Sequence, residues 1–208
     1  MKKICRTGML IVLMLLMAAP LQVQAASKKY VKLYRTLLET GKRTVHTAVG
    51  SYDIKFVSFR LLDINRDKTP ELIIKNTEPD KSFSTVMVYT VKKGKLVYCG
   101  EYYTKTFSDL LYSKKDKGIR DEWWTNGVGG YGYVTWGLNS KKKVAAKRWA
   151  WSGAESYGGT KLIYKKGVKE KKTTKSKYNK YVKKYFAKKR FKTYHFLKNT
   201  AANRAAIK

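Results

Sequence analysis

The chain has 208 residues and carries 46 Lys and Arg against 14 Asp and Glu, a formal net charge of +32. Hydrophobic residues make up 43% of it, which excludes a disordered polycation and provides enough apolar material for one folded domain. The charge must therefore lie on a folded body, where it favours association with nucleic acid, anionic lipid or cell-envelope polymers. The alternative interpretation is a solvated face that only keeps the protein soluble.

The first residues have the pattern of an export signal. Three basic residues precede the apolar run 9–19, Pro20 ends that run, and small residues precede a predicted cleavage site after Ala25. The run is too short for a spanning helix. We therefore expect signal peptide 1–25 and one secreted or envelope-associated domain, 26–208, which is monomeric and has no transmembrane segment.

The next segments alternate between helical and strand patterns. Apolar residues at helical spacing over 27–40 predict a helix that ends at Gly41. A strand over 52–63 and a returning strand over 71–75 flank a polar loop. The segments 85–91 and 96–103 predict a β-hairpin whose turn uses a positive φ at Gly94.

Strand patterns continue over 119–124, 133–138 and 144–151, and a second helix is predicted from Thr174 or Ser176. Thr200 is placed to cap a final short helix, 201–207. The sequence therefore predicts an α+β fold. We expect a single antiparallel twisted sheet or open barrel, with an N-terminal and a C-terminal helix packed on it.

The loop between the two early strands carries an oxygen-bearing side chain at every second residue. These residues are Asp63, Asn65, Asp67, Thr69 and Glu71. Oxygen ligands at alternate positions suit a hard cation, and the set predicts a bound Ca²⁺. Arg66 and Lys68 add positive charge, so we expect a weak dissociation constant, on the order of 10⁻⁴ to 10⁻³ M. The alternative is a metal-free turn in which Asp63 and Asp67 accept backbone N–H bonds.

The loop departs from an EF-hand, since Lys68 stands where a glycine is expected and Ile74 where a bidentate glutamate is expected. Its D-x-N-x-D-x-x-P-E-L pattern resembles the calcium loop of FG-GAP-type integrin repeats. It is most similar to the single-copy loop of uncharacterised secreted proteins from Gram-positive anaerobes. The resemblance is sharp over 56–74, implies a fold and a cation, and implies no activity.

The C-terminal helix is densely basic. Its tyrosines and phenylalanines fall at helical spacing, which places them in the core and the basic residues outside. The predicted anionic-polymer-binding residues are Lys177, Lys180, Lys183, Lys184, Lys188, Lys189 and Arg190.

A group of tryptophans lies among glycine-rich loops and is the basis of a rival hypothesis. Trp123, Trp124, Trp136, Trp149 and Trp151 are candidate platforms for a carbohydrate or a cell-wall fragment. In a β domain without disulfides, large aromatics are more often core residues. Trp149 and Trp151 alternate along one strand, so we expect them on the same face.

An enzyme finds little support in the sequence. The two histidines stand in no catalytic pattern, and adjacent Asp121 and Glu122 point to opposite sides of a strand. Cys99, the single cysteine after cleavage, is predicted to be a buried apolar residue. We therefore expect a non-enzymatic module, with a hydrolase lacking a recognisable motif, or an inhibitory or structural partner of another protein, as alternatives.

Overall fold

The computed structural model describes residues 28–47, 50–76, 83–105, 108–125, 130–153, 159–165 and 168–208. The predicted export signal, 1–25, lies outside these residues. The helices of the described part are α1 (Lys28–Thr40), α2 (Lys175–Phe186) and α3 (Ala201–Ala205), with a 3₁₀ turn at Lys188–Arg190. None of these helices is long and apolar enough to cross a membrane.

Most of the described chain is β-strand. The strands in chain order are β1 (Lys42–Thr47), β2 (Gly50–Lys55), β3 (Ser58–Leu62), β4 (Glu71–Lys75), β5 (Phe83–Lys92), β6 (Lys95–Lys105), β7 (Leu110–Ser113), β8 (Gly118–Thr125), β9 (Gly130–Leu138), β10 (Val144–Ser152), β11 (Lys161–Lys165), β12 (Val168–Lys172), β13 (Lys192–Tyr194) and β14 (Leu197–Lys198).

These strands form three antiparallel sheets. β1 and β2 make a hairpin, β14-β3-β4-β5-β6 make a five-stranded sheet, and β12-β11-β10-β9-β8-β7-β13 make a seven-stranded sheet. The two short C-terminal strands join different sheets, because β13 pairs with β7 and β14 pairs with β3. Within the described ranges, no sheet closes on itself.

The first core lies between the five-stranded sheet and α1. Tyr34 and Leu38 of α1 pack in one cluster with Leu72 and Ile74 of β4, and all four are fully buried. The Tyr34 hydroxyl donates to the Pro70 carbonyl at 2.8 Å, which joins the helix to the end of the 63–71 loop.

The second core lies between the two large sheets. Ile73 of β4 and Val88 of β5 pack in one cluster with Ile119 of β8 and Leu138 of β9. The apolar run 72–74 therefore buries side chains on both faces of its strand, as a central strand between two layers requires.

The third core lies between α2 and the other face of the seven-stranded sheet. Tyr178 and Phe186 of α2 are buried with Ala150 of β10, and Phe186 stacks on Tyr133 with ring centroids 5.5 Å apart. α2 begins after Thr174, whose hydroxyl accepts a hydrogen bond from the Lys177 amide at 3.4 Å.

The predicted dominance of antiparallel strands is confirmed, and the structure is compatible with an α+β class. The predicted 85–103 hairpin is also found, with positive φ at Lys93 (50°) and Gly94 (73°). The prediction of a single sheet or open barrel is wrong, because the strands divide into three sheets. Both faces of β4 carry apolar side chains that must be buried. Most strands after β6 therefore form a second sheet that packs on the five-stranded sheet and do not lengthen it.

Candidate functional sites

The alternating-oxygen loop connects β3 to β4. Two of its residues, Arg66 (φ 63°) and Lys68 (φ 70°), adopt the left-handed conformation that favours glycine. Lys68 takes this conformation at the position where an EF-hand loop has its glycine for a sharp turn. The loop thus makes the sharp turn although a lysine occupies that position.

The loop side chains accept hydrogen bonds from the loop's own backbone. Asp63 Oδ1 accepts from the Asp67 amide at 3.1 Å, and Asp63 Oδ2 accepts from the Lys68 amide at 2.9 Å. Asn65 Oδ1 accepts from the Asp67 amide, and Asp67 Oδ1 accepts from the Thr69 amide, both at 2.9 Å. These are the contacts expected of a metal-free turn, but a carboxylate oxygen with one N–H partner keeps a second acceptor site.

A lysine from the seven-stranded sheet forms an ion pair with the loop. Lys142 lies in the turn between β9 and β10, and its Nζ is 2.5 Å from Asp67 Oδ2. Partial burial would raise the pKa of Asp67, but hydrogen bonds from Lys142 and from the Thr69 amide outweigh it and lower that pKa. Asp67 therefore stays ionised and holds a cationic side chain.

Glu71 closes the loop from inside the fold and is fully buried. Its Oε2 accepts from the Ile64 amide at 2.8 Å, and its Oε1 accepts from Asn65 Nδ2 at 3.1 Å and from the Thr90 hydroxyl at 3.4 Å. Burial raises the pKa of Glu71 to about 8, against the lowering effect of the Ile64 hydrogen bond. This carboxyl therefore keeps its proton to a higher pH than an exposed glutamate does.

As a cation site, the loop offers a mixed donor set. In the part of the chain that the structure describes, no three His, Cys, Asp or Glu side chains form a group that could hold a metal. The candidate donors here include the Asn65 amide and Thr69 beside the carboxylates of Asp63 and Asp67. Oxygen donors of this kind suit Ca²⁺, whose ligands include amides, carbonyls and water.

The basic helix presents its lysines to solvent. Lys177, Lys180, Lys183, Lys184, Lys188 and Lys189 are all exposed, and we call these six residues the lysine face. α2 contains no acidic residue. The seventh predicted residue, Arg190, lies differently: it is half-buried, and its Nη2 is 2.9 Å from Asp116 Oδ2.

Asp116 is a charged centre that the sequence analysis did not single out. Its carboxylate is almost fully buried and pairs with Arg190, and Arg148 Nη1 lies 3.3 Å from its other oxygen. Both guanidinium groups also lie over the Tyr185 ring of α2. The cluster holds the end of α2 against the seven-stranded sheet. No sequence signal identifies it, because the partners come from separate elements.

The tryptophans divide between core and partly exposed positions. Trp136 stacks on Tyr102 of β6 with ring centroids 5.6 Å apart, against the core between the sheets. Trp149 stacks on Tyr164 at 5.7 Å, and both Trp149 and Trp151 are half-buried. Trp123 is half-buried as well, and the side chain of Trp124 lies outside the described set.

Trp123 depends on a glycine in the neighbouring strand. Gly132 is its direct partner across β8 and β9, and a Cβ at Gly132 would lie 2.3 Å from Trp123 Nε1. The indole therefore occupies the space that a side chain at Gly132 would need. Across the next strand pair, Gly132 faces Trp151, so Trp123 and Trp151 lie on the same face of the sheet.

Comparison with known proteins identifies no relative. No protein-family model matches the chain, no curated protein matches it, and no solved structure matches it.

Proposed function

We propose that this protein is an exported, non-enzymatic module that associates electrostatically with an anionic polymer or surface through the lysine face. The observation that carries the proposal is the arrangement of α2. Its aromatic residues pack against the seven-stranded sheet, with Tyr178 and Phe186 buried and Tyr181 and Tyr185 partly buried, and the six lysines on and just after it are exposed, with no acid in the helix to neutralise them.

A face of this kind suits polymers that carry negative charge along their length. Exposed ammonium groups act as point charges on flexible stems, so they follow an irregular anionic chain without fixed geometry. The attraction is screened by salt over about 8–10 Å at ordinary ionic strength. We therefore expect low sequence or composition specificity and strong dependence on ionic strength.

The test is elution of the mature protein from immobilised heparin or teichoic acid in a salt gradient. The variant with Lys177, Lys180, Lys184 and Lys188 all changed to Gln is expected to elute at clearly lower salt than wild type. The control variant carries the same charge change at exposed lysines elsewhere, Lys92, Lys95, Lys115 and Lys141. Equal losses in the two variants would support attraction by overall charge and contradict a specific face.

We propose in addition that the loop takes up Ca²⁺ at Asp63, Asn65 and Asp67, with Thr69 and Glu71 completing the donor set. The proposal is supported by the left-handed residues that bend the loop and by the second acceptor sites of its oxygens. The role of the ion would be to stabilise the β3–β4 junction. The resemblance of the loop sequence to FG-GAP-type calcium loops, and to the single loop of certain secreted proteins, also belongs to this proposal and is untested.

The calcium proposal is tested by thermal unfolding with added Ca²⁺ and with chelator. A cation that binds only the folded state, at about ten times its dissociation constant, raises the free energy of unfolding by about 1.4 kcal/mol. The double variant Asp63→Asn, Asp67→Asn should lose this response. The same rise with Mg²⁺, or in the variant, would indicate a general ionic-strength effect.

A second candidate function is the binding of a carbohydrate or wall fragment. It is supported by the half-buried Trp123, Trp149 and Trp151, which lie on the sheet face opposite α2. Titration of the intrinsic tryptophan fluorescence with soluble wall fragments tests it. Saturable quenching that persists at high salt would favour this function over the electrostatic one.

A further inference from the structure

We propose that a cavity between the two large sheets binds a small phosphate-bearing molecule, a phosphomonoester on a sugar-sized body. The cavity has a volume of about 460 Å³ and is lined by residues of β3, β7, β13, the 63–71 loop and α3. This volume lies within the range of small-molecule sites in proteins. The site is separate from the lysine face.

The cavity exists because the chain changes sheets beside it. Tyr194 ends β13 in the seven-stranded sheet, and Leu197 begins β14 in the five-stranded sheet. β14 pairs with β3 only at Ser58 and Phe59. Among the described strands, the outer edge of β3 over 60–62 therefore has no strand partner, and the cavity lies along it.

Three cationic side chains line the cavity, and each comes from a different element. Arg60 lies on β3, Arg66 in the 63–71 loop and Lys114 in the turn after β7. None of the three forms an ion pair with an acid of the described chain. The lysine and two arginines outnumber the single carboxylate of the wall, Asp63, and their charge suits the double negative charge of a phosphomonoester better than the single charge of a carboxylate ligand.

One acid, Asp63, also lines the cavity and offsets one of the three positive charges, which leaves an excess of positive charge in the wall. Its two carboxylate oxygens accept the amides of Asp67 and Lys68, and it forms no ion pair with the three cations of the described chain. Among the described residues, the one hydrogen bond that the Arg60 side chain donates is a long contact, 3.5 Å, to the His195 carbonyl, and its guanidinium lies over the Tyr194 ring. The guanidinium is thus oriented by the ring, and its remaining N–H groups are available to a ligand.

The rest of the wall fits a carbon body. Tyr112 and Tyr194 contribute ring surface, and Leu197 remains 38% exposed, one of the few large apolar side chains in the described chain with such exposure. An apolar wall with a few convergent charges is the usual composition of a small-molecule site. Inorganic phosphate has no carbon body, so its binding would leave the apolar wall exposed to water.

The experiment is calorimetric titration of the mature protein with glucose 6-phosphate, glucose and inorganic phosphate at fixed ionic strength. We expect saturable binding of glucose 6-phosphate and at least about tenfold weaker binding of the other two probes. The double variant Arg60→Gln, Arg66→Gln should weaken glucose 6-phosphate binding about tenfold or more, since each lost charge-assisted contact contributes up to that factor.

The control is Lys183→Gln, Lys184→Gln, which removes the same charge from the lysine face. Circular dichroism and the melting temperature show that both variants fold. No saturable binding, equal binding of inorganic phosphate, or the same loss in the control would overturn the proposal. Column retention tests the lysine face and calorimetric titration tests the cavity, so one proposal can be contradicted while the other holds.

Discussion

Lys142 Nζ lies 2.5 Å from Asp67 Oδ2, although the two residues are 75 positions apart in the sequence. Lys142 belongs to the β9–β10 turn of the seven-stranded sheet and Asp67 to the β3–β4 loop of the five-stranded sheet. The pair therefore joins the two sheets at the candidate cation loop. It also places an ammonium group where it competes with a metal ion for the same carboxylate.

The first prediction concerns this competition. Lys142→Gln removes a positive charge from the loop and should tighten Ca²⁺ binding about two- to fivefold, the effect of a partly exposed ion pair worth up to about 1 kcal/mol. Calorimetric titration measures the change. Lys141→Gln, one residue away and exposed, is the control and should leave the affinity unchanged. Weaker binding in Lys142→Gln would show that Lys142 supports the site.

The second prediction concerns the pH dependence of stability. The Glu71 carboxyl ionises near 4.5 in the unfolded chain, but burial raises its pKa to about 8 in the folded protein. Between these values the folded state keeps a proton that the unfolded chain has released, so stability falls as pH rises from about 4.5 to about 8.

Glu71→Gln should remove this slope, which amounts to a few kcal/mol at most. The measurement is urea unfolding at several pH values in the presence of chelator. Glu39→Gln changes an exposed glutamate and should keep the slope. If the stability of the wild-type protein increases over this range, Glu71 is ionised in the folded protein.

The third prediction concerns the Asp116 cluster. Asp116→Asn leaves the guanidinium groups of Arg148 and Arg190 without their counter-charge and should lower the free energy of unfolding by about 2–4 kcal/mol. Burial would raise the pKa of Asp116, but hydrogen bonds from Arg190 and Ser113 and the charge of Arg148 lower it. This contribution is therefore lost as pH falls below about 4.

Urea unfolding at neutral pH measures the change, and Asp109→Asn is the matched control. Asp109 is 40% exposed and pairs with an exposed histidine, so its substitution should cost less than about 1 kcal/mol. An equal cost for the two substitutions would show that the cluster contributes no more than a surface pair.

The fourth prediction concerns Gly132. Gly132→Ala places a methyl group where the Trp123 indole lies, so the indole must move, at a cost of about 1–3 kcal/mol. The tryptophan emission should shift to longer wavelength as the ring becomes exposed. Gly41→Ala serves as a contrast, since nothing lies near its Cβ position and the cost there comes from its positive φ alone. Its emission should match that of the wild type.

Local features of this fold could be predicted from sequence. Thr174 and Thr200 cap α2 and α3, and the 92–95 turn has the left-handed residues of a two-residue hairpin. Helix caps and tight turns depend on residues that are close together in the sequence, so the residue types alone indicate them. α3 ends at Ala205, two residues before the predicted end.

Long-range pairing could not be predicted in the same way. Nothing in the pattern of β13 or β14 indicates which sheet each joins, because strands of two or three residues carry no periodicity. The cavity beside β3, the Lys142–Asp67 pair and the Asp116 cluster all follow from that pairing. For the loop itself, the sequence shows the alternating oxygen-bearing side chains, and the structure adds that Glu71 is buried in the fold.

Cys99 lies in the core between the two large sheets and is 1% exposed. Burial, with the nearby charge of Glu71, raises the pKa of its thiol to about 11, so the reactive thiolate is scarce at neutral pH. Alkylating reagents can label this sulfur only in molecules whose layers have separated. The labelling rate therefore measures how often the two large sheets separate transiently, without any engineered probe.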